Sequence, residues 1–254
     1  MKFLDTLEKR FGHMAVPNVV LVLIVAQLFI YAFILNGRVD YGALVLAPKL
    51  VFAGEWWRLA SFMIAPPDIA TGAFSALFLA IFWYIFWMMS SALESAWGVF
   101  RFNLFLLAGI LLTVAGAFIG QAISPSSIIV VDPRFLYLSV FFAFATIHPN
   151  IQFLFMFIIP VKVKWLAWLA AVLWVALPFL AAPSMGWRIM ILAPIINYAL
   201  FFKDSLKQSM QAKQRRAKFD TERRATMNEA LHTCAACGAT DKSDPDRDFR
   251  YKTV

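Results

Sequence analysis

Six stretches of this chain carry no Asp, Glu, Lys or Arg: 14–37, 69–93, 102–131, 135–161, 165–187 and 189–202. A backbone surrounded by hydrocarbon must satisfy its own N–H and C=O groups, which restricts it to helices or closed barrels. Roughly 20 helical residues cross the bilayer core. The runs 14–37, 69–93 and 102–131 each exceed that length. The fourth is interrupted by His148-Pro149-Asn150. Proline disfavours helix in the residue before it, so a helix should end near His148, with Ile151 to Pro160 returning as a buried or interfacial segment. The fifth helix should run from about Lys164 to Ala181, bent or ended by Pro178 and Pro183. The last run has only 14 residues, or 17 counted from Gly186, and a re-entrant segment is its alternative.

Composition agrees with a polytopic membrane protein. The chain of 254 residues is 61% hydrophobic and 15% charged, whereas soluble domains are about half apolar and a quarter charged. Mean hydropathy is +0.72. The uncharged run of 24 residues from Met14 to Gly37 is too long for the apolar part of a signal peptide and reads as a retained first helix. Two cysteines near the C-terminus cannot staple the membrane part.

Basic residues collect on the cytoplasmic side of a membrane. Here they concentrate before the first run (Lys2, Lys9, Arg10), at Arg101, at Lys162 and Lys164, and in the segment from Lys203 to Arg224, where eight face three acidic residues. The other loops are long, mixed or nearly neutral (Arg38, Lys49 and Arg58 with Asp40, Glu55 and Asp68; Arg134 with Asp132; Arg188). Six helices with both termini inside satisfy this distribution. Five would put the basic tail outside.

Gly109, Gly116 and Gly120 are spaced by seven and four and share one helical face. The Gly116-x-x-x-Gly120 pair permits close approach of two helix backbones, and internal packing is preferred to self-dimerisation.

The second run is bracketed by two compact signatures. Gly54-Glu55-Trp56-Trp57-Arg58 precedes it, and Glu94-Ser95-Ala96-Trp97-Gly98 closes it. Tryptophans suit either membrane interface. Arg58 reads as an interfacial charge or as the donor that satisfies loop carbonyls without water. Glu94 and Arg101 are candidates for a pair across the turn at Trp97-Gly98, or for a solvated interfacial pair.

These two signatures resemble the rhomboid superfamily of intramembrane serine proteases. Its members enter the second transmembrane helix through Gly-x-x-Trp-Arg and leave it through Glu-x-x-[Phe/Trp]-Gly. Pro160-Val161-Lys162-Val163-Lys164-Trp165 is a third point of similarity, since many bacterial rhomboid-like proteins enter the fifth helix that way. The resemblance covers roughly residues 15 to 202. It implies an all-α, six-transmembrane-helix rhomboid-like bundle with a large first outer loop, in a bacterial cytoplasmic membrane.

The family's chemistry does not carry over. A hydroxyl needs a base within hydrogen-bond reach to become a nucleophile. The protease places that serine in Gly-x-Ser-Gly at the start of helix four and its histidine on helix six. The corresponding region reads Pro133-Arg134-Phe135-Leu136-Tyr137-Leu138-Ser139, and Ala193 to Ala199 holds Asn197 but no histidine. The two oxyanion-binding positions fall near Phe78 and Phe82. Ser139 and His148, nine residues apart, stand about 180° around and roughly 13 Å along a helix from each other, so they cannot meet on one straight helix. Ser139 is expected to back-bond its own helix or pack between helices. His148 is expected to act as a polar cap beside Pro149. Asn197 either hydrogen-bonds across helices or marks the place of a former active site. No catalytic residue is assigned.

Residues 203–231 are basic, polar and free of Gly and Pro, which reads as a cytosolic helix. It either contacts anionic lipid or serves only as a positive-inside anchor, and nucleic acid is not expected as a partner. Residues 232–254 open with His232-x-Cys234-x-x-Cys237. That is half of a zinc ribbon, since tetrahedral zinc takes four ligands. Zinc on Cys234 and Cys237, with His232 as a third ligand, is weighed against a reduced pair.

The resemblance therefore implies a transmembrane domain, 1–202, that binds membrane lipids and transmembrane segments of client proteins without cleaving them. An active rhomboid protease with an unrecognised site is one alternative. A small-solute channel or transporter is the other, although no charge lies inside a span and such charges usually mark ion paths.

Overall fold

The computed structural model describes residues 8–69, 72–155 and 159–202, all within the first of two units, Met1–Phe202 and Lys203–Val254. The basic helix expected over 203–231 and the cysteine pair lie outside the described residues. The protein is an all-α membrane bundle. Among the described residues, five helices are long and apolar enough to cross a membrane.

Chain order runs α1 (Val19–Leu35), α2 (Pro48–Phe52), α3 (Arg58–Ile64), α4 (Ala73–Trp97), α5 (Val99–Ile123) and α6 (Arg134–Ile147). A two-stranded hairpin, β1 (Gln152–Phe155) and β2 (Ile159–Lys162), follows. The described residues end with α7 (Val163–Ala181) and α8 (Met185–Phe202). The membrane-length helices are Glu8–Leu35, which contains α1, together with α4, α5, α7 and α8; α6, with 14 residues, is shorter. It sits inside the bundle, packed against α4, α5 and α7. Surrounded by protein, it is sheathed by helices that do span the distance.

Helix α6 stops at Ile147, and the His148 N–H closes on the Phe144 carbonyl. The expected interfacial segment after it is more ordered than the sequence suggests. Gln152 pairs with Lys162 and Phe153 with Val161 in an antiparallel ladder. Phe153 to Val161 is apolar without alternation, so no strand period was there to read, and Phe153 packs on the bundle.

Helix α7 is not a uniform α-helix. Val172–Ala176 is a π-helical turn, ahead of Pro178. One extra residue in the ladder shifts the helix face that follows.

The glycine face of α5 packs on α8. A Cβ on Gly120 would stand 2.5 Å from the Gly186 carbonyl oxygen, and one on Gly116 would stand 3.6 Å from the Ala193 Cβ. Gly109 leaves room for Asn197, whose Nδ2 would lie 2.8 Å from an added Cβ. The three glycines therefore serve contacts within the chain. The tight reversal between α4 and α5 turns on Gly98, at φ +85°, a conformation that side-chain-bearing residues rarely adopt.

Candidate functional site

The signature residues before α4 build the first loop. Arg58 is buried to 5% exposure. Its Nη1 donates to the carbonyls of Gly42 at 2.6 Å and Val45 at 2.8 Å, while Nε and Nη2 reach Glu55 Oε2, each at 2.7 Å. Trp57 Nε1 donates to the Ala43 carbonyl and Ser61 Oγ to that of Leu44. Four successive loop carbonyls thus find donors on one short stretch around α3. Gly54 turns the chain before it at φ +108°. The loop is pinned again by a two-way bridge between Leu46 and Val131, at 2.9 and 2.8 Å.

At the other end of α4 the contacts differ from those expected. The Glu94 carboxylate accepts the Asn18 backbone N–H, at 3.0 and 3.2 Å, and so caps α1. Arg101 pairs with Glu8 at 3.1 Å. The sequence left a pair across the turn and a solvated interfacial pair equally open; tertiary packing instead brings the residues around the start of α1 alongside both side chains. Trp97 stacks among Phe105, Phe201 and Phe202.

Between these two signatures lies a cleft of about 650 Å³, walled by α4, α6 and α7. Helix α4 packs on α6 and α6 on α7, with no comparable contact between α4 and α7. The wall is aromatic. Phe74, Phe78, Phe82 and Phe86 line it from α4, Tyr137 and Phe141 from α6, and Trp174 from the π turn of α7. Phenylalanines four residues apart share a helix face, so α4 presents a ladder of rings. Phe82 and Phe86 meet the Tyr137 ring at 5.1 and 4.7 Å, an edge-on geometry favoured by ring quadrupoles. The two positions matched to the oxyanion site, Phe78 and Phe82, are thus brought into one cavity.

Ser139 and Asn197 are not part of it. Ser139, 1% exposed, donates its hydroxyl to the Leu136 carbonyl at 2.8 Å. Asn197 is fully buried against α5, with Nδ2 3.4 Å from the Phe105 carbonyl and Oδ1 without a hydrogen-bond partner among the described residues. His148 stacks on Phe144 at 5.1 Å, and its Nδ1 is buried without a hydrogen-bond partner among the described residues.

Below the ladder, a polar hub was not anticipated. Gln27 of α1 is 1% exposed. Its Nε2 donates to the Tyr137 hydroxyl at 2.7 Å and to the Met63 carbonyl at 3.0 Å, and its Oε1 accepts from Trp83 Nε1 at 2.9 Å. One amide ties α1, α3, α4 and α6 together. The signal was a lone amide in the middle of an apolar run.

The cleft ends at a charged rim formed by Asp68 and Arg134. Arg134 Nε is 2.9 Å from Asp132 Oδ2. Nearby, burial first and then the Asp132 carboxylate raise the Tyr41 phenol above its ordinary value. Among the described residues no group of three or more His, Cys, Asp or Glu is placed to hold a metal.

Comparison of the chain with protein-family models, with curated proteins and with solved structures found no match.

Proposed function

We propose that this protein is a rhomboid-like membrane protein that holds transmembrane segments of other proteins in the cleft between α4 and α7 and does not cleave them. The observation that carries the reading is the aromatic cleft of about 650 Å³. Apolar pockets of roughly 300–1,000 Å³ are the usual size for ligand sites. A whole helix is larger, so the cleft takes a few bulky side chains of a helix lying against the gap. Helix association in membranes depends on such packing, because lipid is already apolar and offers no hydrophobic drive. The hydrogen bond from Ser139 to its own helix supports the non-catalytic half of the reading: the hydroxyl is committed to a carbonyl and sealed from the cleft.

The test uses the full chain in liposomes with a rhomboid substrate and with a serine-directed fluorophosphonate probe. A photo-crosslinking residue at Phe78 or Trp174 should trap a hydrophobic helical peptide, with no cleavage product and no label on serine. Cleavage or specific labelling would overturn the inactive reading. Absence of crosslinking from both positions would overturn the cleft as the binding site.

A further inference from the structure

Resting on that reading of the cleft, we infer that Asp68 selects the occupant by charge, favouring a transmembrane segment with Lys or Arg at the end beside the α4 N-terminus. The rim holds two charged groups, Asp68 and Arg134, with different commitments. Arg134 is engaged by Asp132, through Nε at 2.9 Å and through the Arg134 N–H to Asp132 Oδ1 at 3.0 Å. Those two charges cancel. Asp68 is exposed, lines the cleft and accepts the N–H of the adjacent Ile69 at 2.8 Å. It makes no ion pair among the described residues. The mouth therefore presents one uncompensated carboxylate over an apolar wall.

A helical segment lying in the cleft with its apolar side chains against Phe78 and Trp174 brings its terminal residue to that carboxylate. A long basic side chain suits the place, since its stem packs on apolar surface while its head stays at the aqueous edge. An acidic residue there would face Asp68 directly and be repelled. The selection is physically useful because Lys and Arg concentrate at cytoplasmic helix ends. In the orientation read from the loop charges, the rim lies on the opposite side, where fewer segments carry them.

The experiment measures binding of labelled poly-Leu/Ala helical peptides to the full chain in neutral-lipid nanodiscs. The peptides carry Lys, Gln or Glu at one end only. The Lys peptide should bind about three- to fivefold more tightly than the Glu peptide, the size expected of one exposed ion pair, and the gap should narrow as salt screens it. Asp68→Asn should erase the order, and Asp68→Lys should reverse it, which a merely structural effect of the substitution would not do. Equal binding of the three peptides to the unaltered chain, or an order that survives Asp68→Lys, overturns the charge selection while leaving the cleft reading intact. Failure of every peptide to bind overturns both.

Discussion

A guanidinium that is 5% exposed at a membrane interface is tolerable only if each donor has a partner. Arg58 achieves this with two carbonyls and one carboxylate, and the loop carbonyls gain their donors in the same act. Arg58→Ala should therefore cost about 2–3 kcal/mol, because it strands buried acceptors as well as removing bonds. Arg58→Lys should recover only part of this, since one ammonium lacks the forked geometry. Thermal unfolding in detergent, read as the midpoint for each variant, checks the order. Gln27 is the second such residue. Its replacement by Leu leaves Trp83 Nε1 and the Met63 carbonyl without partners. Soluble-protein figures suggest about 1–3 kcal/mol per stranded group, yet interhelical bonds in membranes average nearer 0.6 kcal/mol. The loss should fall at about 1–2 kcal/mol in a denaturing-detergent titration. An unchanged midpoint would mean that the hub is incidental.

Among the elements, α5 and α8 approach closely enough for Gly120 to abut the backbone of Gly186, and the three glycines of α5 are unequal. Gly120 faces the Gly186 carbonyl, a backbone atom that cannot move aside. Gly116 faces a methyl group at ordinary contact distance, and Gly109 faces the end of a side chain. Gly120→Ala should thus destabilise strongly, by about 2 kcal/mol or more. Gly109→Ala should be intermediate and Gly116→Ala close to neutral. Equal losses at Gly120 and Gly116 would refute the geometry. Helix α7 offers a different test. Its π turn carries Trp174 into the cleft, and such turns often occur at functional sites. Deleting one residue from Val172–Ala176 should restore α-helical register. Residues on one side of the deletion then turn by about 100° relative to those on the other. Peptide crosslinking from position 78 should fall while the chain remains folded, as judged by its elution from a sizing column.

For the whole molecule, the cleft separates what holds the bundle from what it offers a partner. Trp174 is 51% exposed, so Trp174→Ala should lower peptide capture severalfold with little change in unfolding midpoint. Phe86, 1% exposed and packed on Tyr137, should behave oppositely: Phe86→Ala should cost about 3–5 kcal/mol of stability, by analogy with soluble cores. A midpoint that falls equally for both would deny the division between scaffold and surface.

Membrane insertion was legible in the chain, because an uncharged run of about twenty residues has few other solutions. The end of α6 before Pro149, the sharp turn at Gly98 and the small-residue face of α5 were legible too, since each follows from backbone rules that act over a few neighbours. The hairpin after α6 was not, as Phe153 to Val161 is apolar without alternation and pairing alone distinguishes a strand from a buried coil. Nor was Glu94's bond to Asn18, 76 residues away. The cleft belongs to the same class: Phe74, Phe78, Phe82 and Phe86 form a visible period of four, yet the period cannot say whether the rings meet a neighbour, lipid or a void. That was decided by α4 and α7 standing apart across α6. In a chain this uniformly apolar, composition specifies the solvent, while the placement of gaps depends on how helices from distant parts of the sequence fit together.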